Sequence, residues 1–118
     1  MYYEVVENTV ERDNLQAAMG VPEILENVSV SGGVIERGMI ICGTNGIYEP
    51  VTKAADANKP LAIAEMDYNS SDVGVISAYT GGSFHMNALK TGSSIVSAED
   101  FKEPLRKENI IVINQMEV

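Results

Sequence analysis

The stretch that decides the fold is Met39-Ile40-Ile41-Cys42-Gly43-Thr44-Asn45-Gly46-Ile47-Tyr48-Glu49-Pro50-Val51. Two short apolar runs flank the pair Asn45-Gly46. Both central residues of a type I′ turn need positive φ, and Asn followed by Gly is the pair that adopts it most readily. The stretch therefore predicts a β-hairpin that turns at Asn45-Gly46.

Short β-type runs separated by turn residues lie on both sides of this hairpin. Before it, Val34-Ile35 follows a turn at Ser31-Gly32-Gly33. After it come apolar runs at 61–66, 73–79 and 83–86, with turns predicted at 69–72 and at Gly81-Gly82. This spacing predicts a compact, strand-rich domain.

The hydrophobic period changes near the C-terminal end. Ser97, with Asp100 three residues on, predicts an N-cap and a short helix that Pro104 must interrupt or restart. Ile110-Ile111-Val112-Ile113 then predicts a final strand, because four consecutive β-branched residues fit a sheet covered on both sides better than one face of a helix. The fold class expected from the residues is mainly β, with one short helix near the C-terminus.

Residues 1–32 differ from the rest of the chain. They are rich in acids, contain the single base Arg12, and show no sustained alternation or helical stripe. We expect an extended N-terminal arm over 1–32, held in place only by an external partner, and a β-rich domain over 33–118. Tyr2 and Tyr3 have no core of their own to enter in such an arm, which makes them candidates for contact with a partner.

Length and charge exclude several classes of function. The 118 residues support one modest domain, and 17 Asp plus Glu against 8 Lys plus Arg give a net charge of −9. Apart from the adjacent Arg106-Lys107, the bases are spread singly and make no stripe, whereas proteins that bind nucleic acids or anionic membranes cluster them, so we expect neither partner. The acidic start and the lack of a long apolar run predict neither a signal peptide nor a membrane span.

Familiar catalytic and cofactor motifs each fail on a specific residue. Asp67 begins a run similar to a calcium loop, but Asp72 stands where the loop needs Gly and Ala78 stands where it needs a bidentate carboxylate. Cys42 lies in an apolar run with no activating neighbour, and His85 has no Cys or second His with which to bind zinc. We expect no catalytic, cofactor-binding or metal site.

The order of the segments along the chain says more than any single motif. These segments are Arg37-Gly38-Met39-Ile40-Ile41, the hairpin through Asn45-Gly46, Pro60-Leu61-Ala62-Ile63-Ala64-Glu65, a strand near Val75-Ile76, Gly82-Ser83-Phe84-His85-Met86-Asn87-Ala88-Leu89 and Leu105-Arg106-Lys107-Glu108-Asn109-Ile110. Over roughly residues 33–115 they resemble the lambda-like phage head decoration proteins. Asn109 stands where that family has Gly, which Asn tolerates if the position is left-handed.

The resemblance implies a fold and a role. The fold would be a β-clip-like bent ribbon, or incomplete barrel. The protein would be a homotrimer without enzymatic activity or cofactor that binds the major capsid protein at three-fold and quasi-three-fold sites and stabilises the expanded, DNA-filled head. It would be made in the host cytoplasm and reside on the outer capsid surface of the virion. Its arm would add a strand to the shell, with Tyr2, Tyr3, Val5 and Val6 as capsid-contact residues.

Two other functions stay open on the sequence. A small β-barrel enzyme or ligand-binding domain of unknown substrate would use His85, Glu65 and Asp67, and a concave pocket that joins these three side chains would support it. His85 at a subunit contact would count against it. A phage or bacterial assembly adaptor would use the same arm with a different partner.

Overall fold

The computed structural model describes residues 15–17 and 21–113, and this part of the chain is mainly β. The strands are β1 (Ile24–Val30), β2 (Gly33–Ile35), β3 (Ile40–Thr44), β4 (Ile47–Pro50), β5 (Leu61–Ala64), β6 (Tyr68–Ser70), β7 (Gly74–His85) and β8 (Ile110–Ile113). Short 3-10 helices lie at Ala54–Asn58, Met86–Ala88 and Ala98–Phe101, and the α-helix α1 spans Lys102–Arg106. The expected fold class, mainly β with a short helix near the C-terminus, is confirmed.

The main sheet curls back on itself without closing fully. Its strand order is β1-β4-β3-β5-β7-β8, and β1 also runs antiparallel along β7. The parallel pairing of β1 with β4 is limited to Ser29 opposite Ile47 and Val30 opposite Tyr48, so these two strands pair over a short length. The sheet is therefore an incomplete barrel, and β2 and β6 form a separate antiparallel pair.

The predicted hairpin is confirmed. β3 and β4 pair antiparallel with Thr44 opposite Ile47, and the turn residues Asn45 and Gly46 have φ of 54° and 83°. Positive φ at both positions is the requirement of a type I′ turn. On its other edge β3 pairs with β5, so the hairpin places β3 in the middle of the sheet.

β3 and β5 are buried on both faces, which explains why their sequences are apolar without interruption. Alternate residues point to two separate groups of side chains. The outer cluster includes Ile40, Cys42, Leu61, Ile63, Phe101 and Leu105, and it lies between the sheet and the C-terminal helical segment. The inner cluster includes Val28, Val30, Ile41, Ala62, Ala64, Ile76 and Ala78, contributed by β1, β3, β5 and β7 from around the curl. Three alanines, Ala62, Ala64 and Ala78, are among its fully buried residues.

The C-terminal helical segment begins at its predicted cap. The Asp100 carboxylate accepts a hydrogen bond from the Ser97 N–H at 2.9 Å. The chain then passes from 3-10 to α geometry at Lys102, and Pro104 falls in the first turn of α1, where proline is tolerated. The short helix is present as predicted, but Pro104 does not interrupt or restart it, since α1 begins before the proline and runs on to Arg106.

β1 lies inside the stretch expected to be an arm. It pairs with β7 along its whole length, and Val28 and Val30 are buried in the inner cluster. Glu26 and Asn27 are exposed, so the strand shows only a brief alternation in sequence. The folded body thus starts before residue 33, because β1, within the expected arm, belongs to the sheet.

The turn predicted at Gly81-Gly82 is wrong, because β7 runs through both glycines to His85. Gly82 has a φ of 135°, and a Cβ added there would lie 3.2 Å from the Phe84 ring. The glycine lets the strand change its neighbours: β1 and β5 pair with the part before Gly82, and β8 pairs with 82–85. Gly81 and Gly82 therefore lie inside one continuous strand.

The complete burial of Ala62 in the inner cluster predicts a position-specific response to a larger side chain. Ala62→Leu should lower the free energy of unfolding by about 1–3 kcal/mol, because extra methylenes in a filled interior force side chains and backbone to shift. Urea denaturation at pH 7 measures the change. The control Ala55→Leu, on an exposed helical residue, should change stability by less than about 0.5 kcal/mol. Equal costs for the two variants would contradict the inner packing.

Candidate functional site

The two ends of the described chain meet at one corner of the sheet. On one edge of β7, Leu15 O accepts a hydrogen bond from the His85 N–H at 2.9 Å, and Ser83 O accepts one from the Ala17 N–H at 2.8 Å. On the other edge β8 runs parallel to β7, with Ile113 opposite His85. We call Leu15, His85 and Ile113 the terminal corner. The segments 1–14 and 114–118 both join the body there.

The terminal corner is rigidly connected to the core. Leu15 is 1% exposed and packs in the outer cluster, as does Phe84, which bridges to Gln16. Burying a leucine side chain contributes about 1.5–3 kcal/mol, enough to hold a short segment in place. The Ser83 hydroxyl adds a hydrogen bond to Ala17 O at 2.6 Å. The chain that precedes Leu15 is therefore tethered to a fixed point.

The predicted capsid-contact residues Tyr2, Tyr3, Val5 and Val6 lie outside the described residues. The structure shows where the segment that carries them joins the body. Tyr2 is thirteen residues from Leu15 along the sequence. An extended chain spans at most about 3.3–3.6 Å per residue, so Tyr2 lies within about 45 Å of the terminal corner. Nothing in the residues before Leu15 signals this anchor, because its pairing partners are far away in the sequence.

His85, Glu65 and Asp67, the residues of the enzyme alternative, have different neighbours. Asp67 accepts a hydrogen bond from the Arg37 N–H at 2.8 Å, and the Arg37 guanidinium donates to Glu65 O at 2.8 Å. Arg37 thus brings two of the three residues together at the end of β5. His85 lies in the terminal corner between Leu15 and β8. The described contacts do not join His85 to the two acids.

Cys42 is fully buried and packs in the outer cluster, as its apolar run predicts. Burial raises the pKa of its thiol to about 11, and the nearby Asp56 carboxylate contributes to the rise. A thiol with this pKa stays protonated at neutral pH and is a poor nucleophile. The described residues therefore offer no activated cysteine.

Asp56 is a buried carboxylate that the sequence analysis missed. Its Oδ2 accepts hydrogen bonds from the N–H groups of Thr52 (2.9 Å) and Lys53 (3.3 Å), and its Oδ1 lies 3.1 Å from Lys59 Nζ. Burial alone would raise the pKa of Asp56, but the hydrogen bonds from Thr52 and Lys59 hold that pKa below its ordinary value. Asp56 closes the loop before β5, which is a structural role.

Comparison with protein-family models and with curated proteins finds no match for this chain. The chain's own geometry therefore carries the functional argument. No helix among the described residues is long and apolar enough to cross a membrane. Within 15–17 and 21–113, no three side chains of His, Cys, Asp or Glu come together in a way that would hold a metal ion.

The partners of Asp56 predict how stability depends on pH. Asp56→Asn should lower the free energy of unfolding at pH 7 by about 1–3 kcal/mol, because it leaves a buried hydrogen-bond network incomplete. The folded-state pKa of Asp56 lies below its unfolded value of about 3.9, so the stabilisation is complete above that pH and is lost as the pH falls further. The difference between the two proteins should therefore shrink below about pH 4.

Urea denaturation at pH 7 and pH 3 measures this difference. The matched control is Asp72→Asn, which changes an exposed carboxylate in a turn and should leave stability nearly unaltered at both pH values. A difference between wild type and Asp56→Asn that is as large at pH 3 as at pH 7 would contradict the role given to the ionised carboxylate.

Proposed function

We propose that this chain is a head decoration protein of a phage: a homotrimer that binds the major capsid protein on the outer surface of the expanded head and stabilises it. The proposal combines the resemblance of the segment order with the geometry of the terminal corner. It places the protein in the virion, with no catalytic activity, no cofactor and no direct contact with nucleic acid or membrane.

The single observation that carries the proposal is the anchoring of both terminal segments at one corner of a rigid body. Leu15 and Ile113 flank His85 on opposite edges of β7. A tether rooted at this corner keeps its contact residues attached to one fixed point of the body, which is compatible with attachment to a shell. Tyr2, Tyr3, Val5 and Val6 are the proposed contact residues of that tether.

The sequence of the tether suits addition to an exposed sheet edge. In an extended strand, side chains alternate between faces, so Tyr3 and Val5 fall on one face and Tyr2 and Val6 fall on the other. Main-chain hydrogen bonds supply affinity in this mode, and pockets for alternate side chains supply specificity. Aromatic residues are common anchors of protein interfaces.

Trimerisation would make weak individual attachments sufficient. Capsid three-fold sites repeat three at a time, so one bound arm raises the effective concentration of the other two at their own sites to the millimolar range. The net charge of −9 also fits a position outside a DNA-filled shell, because a basic surface would bind DNA indiscriminately.

Removal of residues 1–14 tests the proposal while leaving β1 intact; a longer deletion through residue 32 would remove a strand of the sheet. The full chain should sediment as a trimer at micromolar concentration and bind saturably to expanded shells of the phage that encodes it. The chain lacking 1–14 should stay trimeric and lose at least about 100-fold in affinity, because three linked attachments are lost together.

A second variant separates arm contact from arm length. Tyr2→Ala with Tyr3→Ala should weaken binding about 10-fold or more, whereas Asn8→Ala with Asn14→Ala, on the same segment, should change it less than about threefold. A full-length chain that is monomeric and does not bind expanded shells would overturn the proposed function. Unchanged binding after loss of 1–14 would move the contact from the arm to the body.

A further inference from the structure

One edge of β1 is only partly paired. Along Ile24–Val30 the strand runs beside β7, and on its other edge it pairs with β4 only at Ser29 and Val30. Within the described residues, no strand pairs with that second edge over residues 24–27. We call this unpaired part of β1 the open edge.

The register shows which main-chain groups the open edge presents. The Ser31 N–H donates a hydrogen bond to Tyr48 O at 3.2 Å, so Ser31 directs its main-chain groups toward β4. Every second residue of a paired strand directs its N–H and C=O groups to the same side. The main-chain groups of Leu25 and Asn27 therefore point away from β7, and the described part of the chain places no ladder partner opposite them.

The pairing of β7 agrees with this assignment. Ser77 lies opposite Asn27, and its carbonyl accepts a hydrogen bond from the Glu65 N–H at 3.0 Å, on the β5 side of β7. Residues opposite each other in an antiparallel ladder exchange either both hydrogen bonds or neither. Asn27 and Ser77 are therefore a pair that exchanges neither, and the Asn27 main chain faces the open edge.

The open edge is accessible as well as unpaired. Ile24 is 46% exposed and Leu25 is 53% exposed, and Glu26 and Asn27 are exposed too. Proline and lysine, which often block the edges of sheets, do not occur at residues 24–27. An exposed edge with apolar side chains is a template for a further strand, because its main-chain groups can pair with those of another segment.

Charge beside the open edge determines which strand it favours. Glu26 forms no ion pair with a base in the described part of the chain. Burial raises the pKa of Tyr48, and the negative charges of Glu108 and Glu26 raise it further, so both acids act where β1 meets β4. An added strand would place a side chain opposite Glu26, where a basic residue is favoured over an acidic one.

The chain itself supplies no strand of this kind. Residues 1–14 contain four acids and the single base Arg12, and residues 114–118 contain one acid and no base. Two copies of β1 that paired antiparallel about Glu26 would place like charges directly opposite each other, which is destabilising. The occupant that fits is a segment of a different protein.

We propose that the open edge is a docking site for an extended segment of a second protein, with a basic side chain opposite Glu26 and an aliphatic one opposite Leu25. Main-chain hydrogen bonds to Leu25 and Asn27 supply affinity in this mode, and the side chains supply preference. The inference goes beyond the proposed function, because it concerns the body of one copy and needs neither a trimer nor a shell.

A short synthetic peptide of alternating lysine and valine is the probe. Added to the full chain at saturation, it should slow hydrogen exchange of the Leu25 and Asn27 amides by about 10-fold or more, as measured by NMR. The amide of Val73, which is 68% exposed and lies outside the open edge, should not change. A matched peptide with glutamate in place of lysine should bind more weakly by about threefold or more.

Two variants separate main-chain pairing from side-chain contact. Asn27→Pro removes a donor from the open edge but keeps the ladder with β7, because that N–H points away from β7. It should weaken binding of the lysine peptide about 10-fold or more, whereas Asn27→Ala, which keeps the N–H, should change it less than about threefold. Urea denaturation confirms that both variants fold. Glu26→Lys should reverse the preference between the two peptides.

Three results would overturn the docking site. They are equal binding of the lysine and glutamate peptides, equal effects of Asn27→Pro and Asn27→Ala, and equal slowing of exchange at Val73 and at Leu25. Faster exchange of the Leu25 and Asn27 amides after removal of residues 1–14 would also overturn it, because the chain's own arm would then be the occupant. Shell binding enters none of these measurements, so failure here leaves the proposed function standing.

Discussion

Burial of β3 and β5 on both faces is the constraint on which the rest of the structure depends. Two neighbouring strands with no polar face need cover on each side. The inner cover comes from the curl of the sheet, which brings β1 against both β7 and β4. The outer cover comes from the C-terminal helical segment, through Phe101 and Leu105. That segment covers only part of the outer face, and Ile47 and Val75 on the uncovered part are exposed.

β7 connects this packing to the proposed function. Its first part lines the curl with β1 and β5, and its last residues lie between Leu15 and β8. Gly82, with its φ of 135°, lies where β7 changes its partner strands, so one strand serves both purposes. Forces on either terminal segment therefore reach the sheet through His85 and its neighbours. A capsid-bound arm would hold the body at a defined orientation.

Local signals made much of the fold predictable. Adjacent residues predict four features that the structure shows. They are the hairpin at Asn45-Gly46, the cap at Ser97, the left-handed Asn109 (φ 66°) and the strand at Ile110–Ile113. Two predictions from adjacent residues are wrong: the turn at Gly81-Gly82, and the burial of the last strand on both faces, since Ile111 and Ile113 are partly exposed.

Signals that depend on distant partners were missed. β1 shows no clear alternation because Ile24 and Leu25 are exposed and only Val28 and Val30 reach the inner cluster. Leu15 is buried against a strand about seventy residues later in the sequence, where its carbonyl accepts a hydrogen bond from the His85 N–H. In the sequence, Asp56 cannot be told from a surface acid, because its burial depends on the fold of the loop that begins at Thr52. For the candidate site, the sequence indicated Tyr2 and Tyr3, because they are aromatic residues in an acidic segment. That both terminal segments join the body at one place follows only from the register of β7.

An electron cryomicroscopy reconstruction of expanded shells mixed with the full chain tests the central claim most directly. The account predicts added density on the outer surface at the three-fold and quasi-three-fold positions, with each body oriented so that the terminal corner faces the shell and the Gly74 end of β7 points away. Shells without added density at saturating protein, or bodies attached by the Gly74 end, would contradict it.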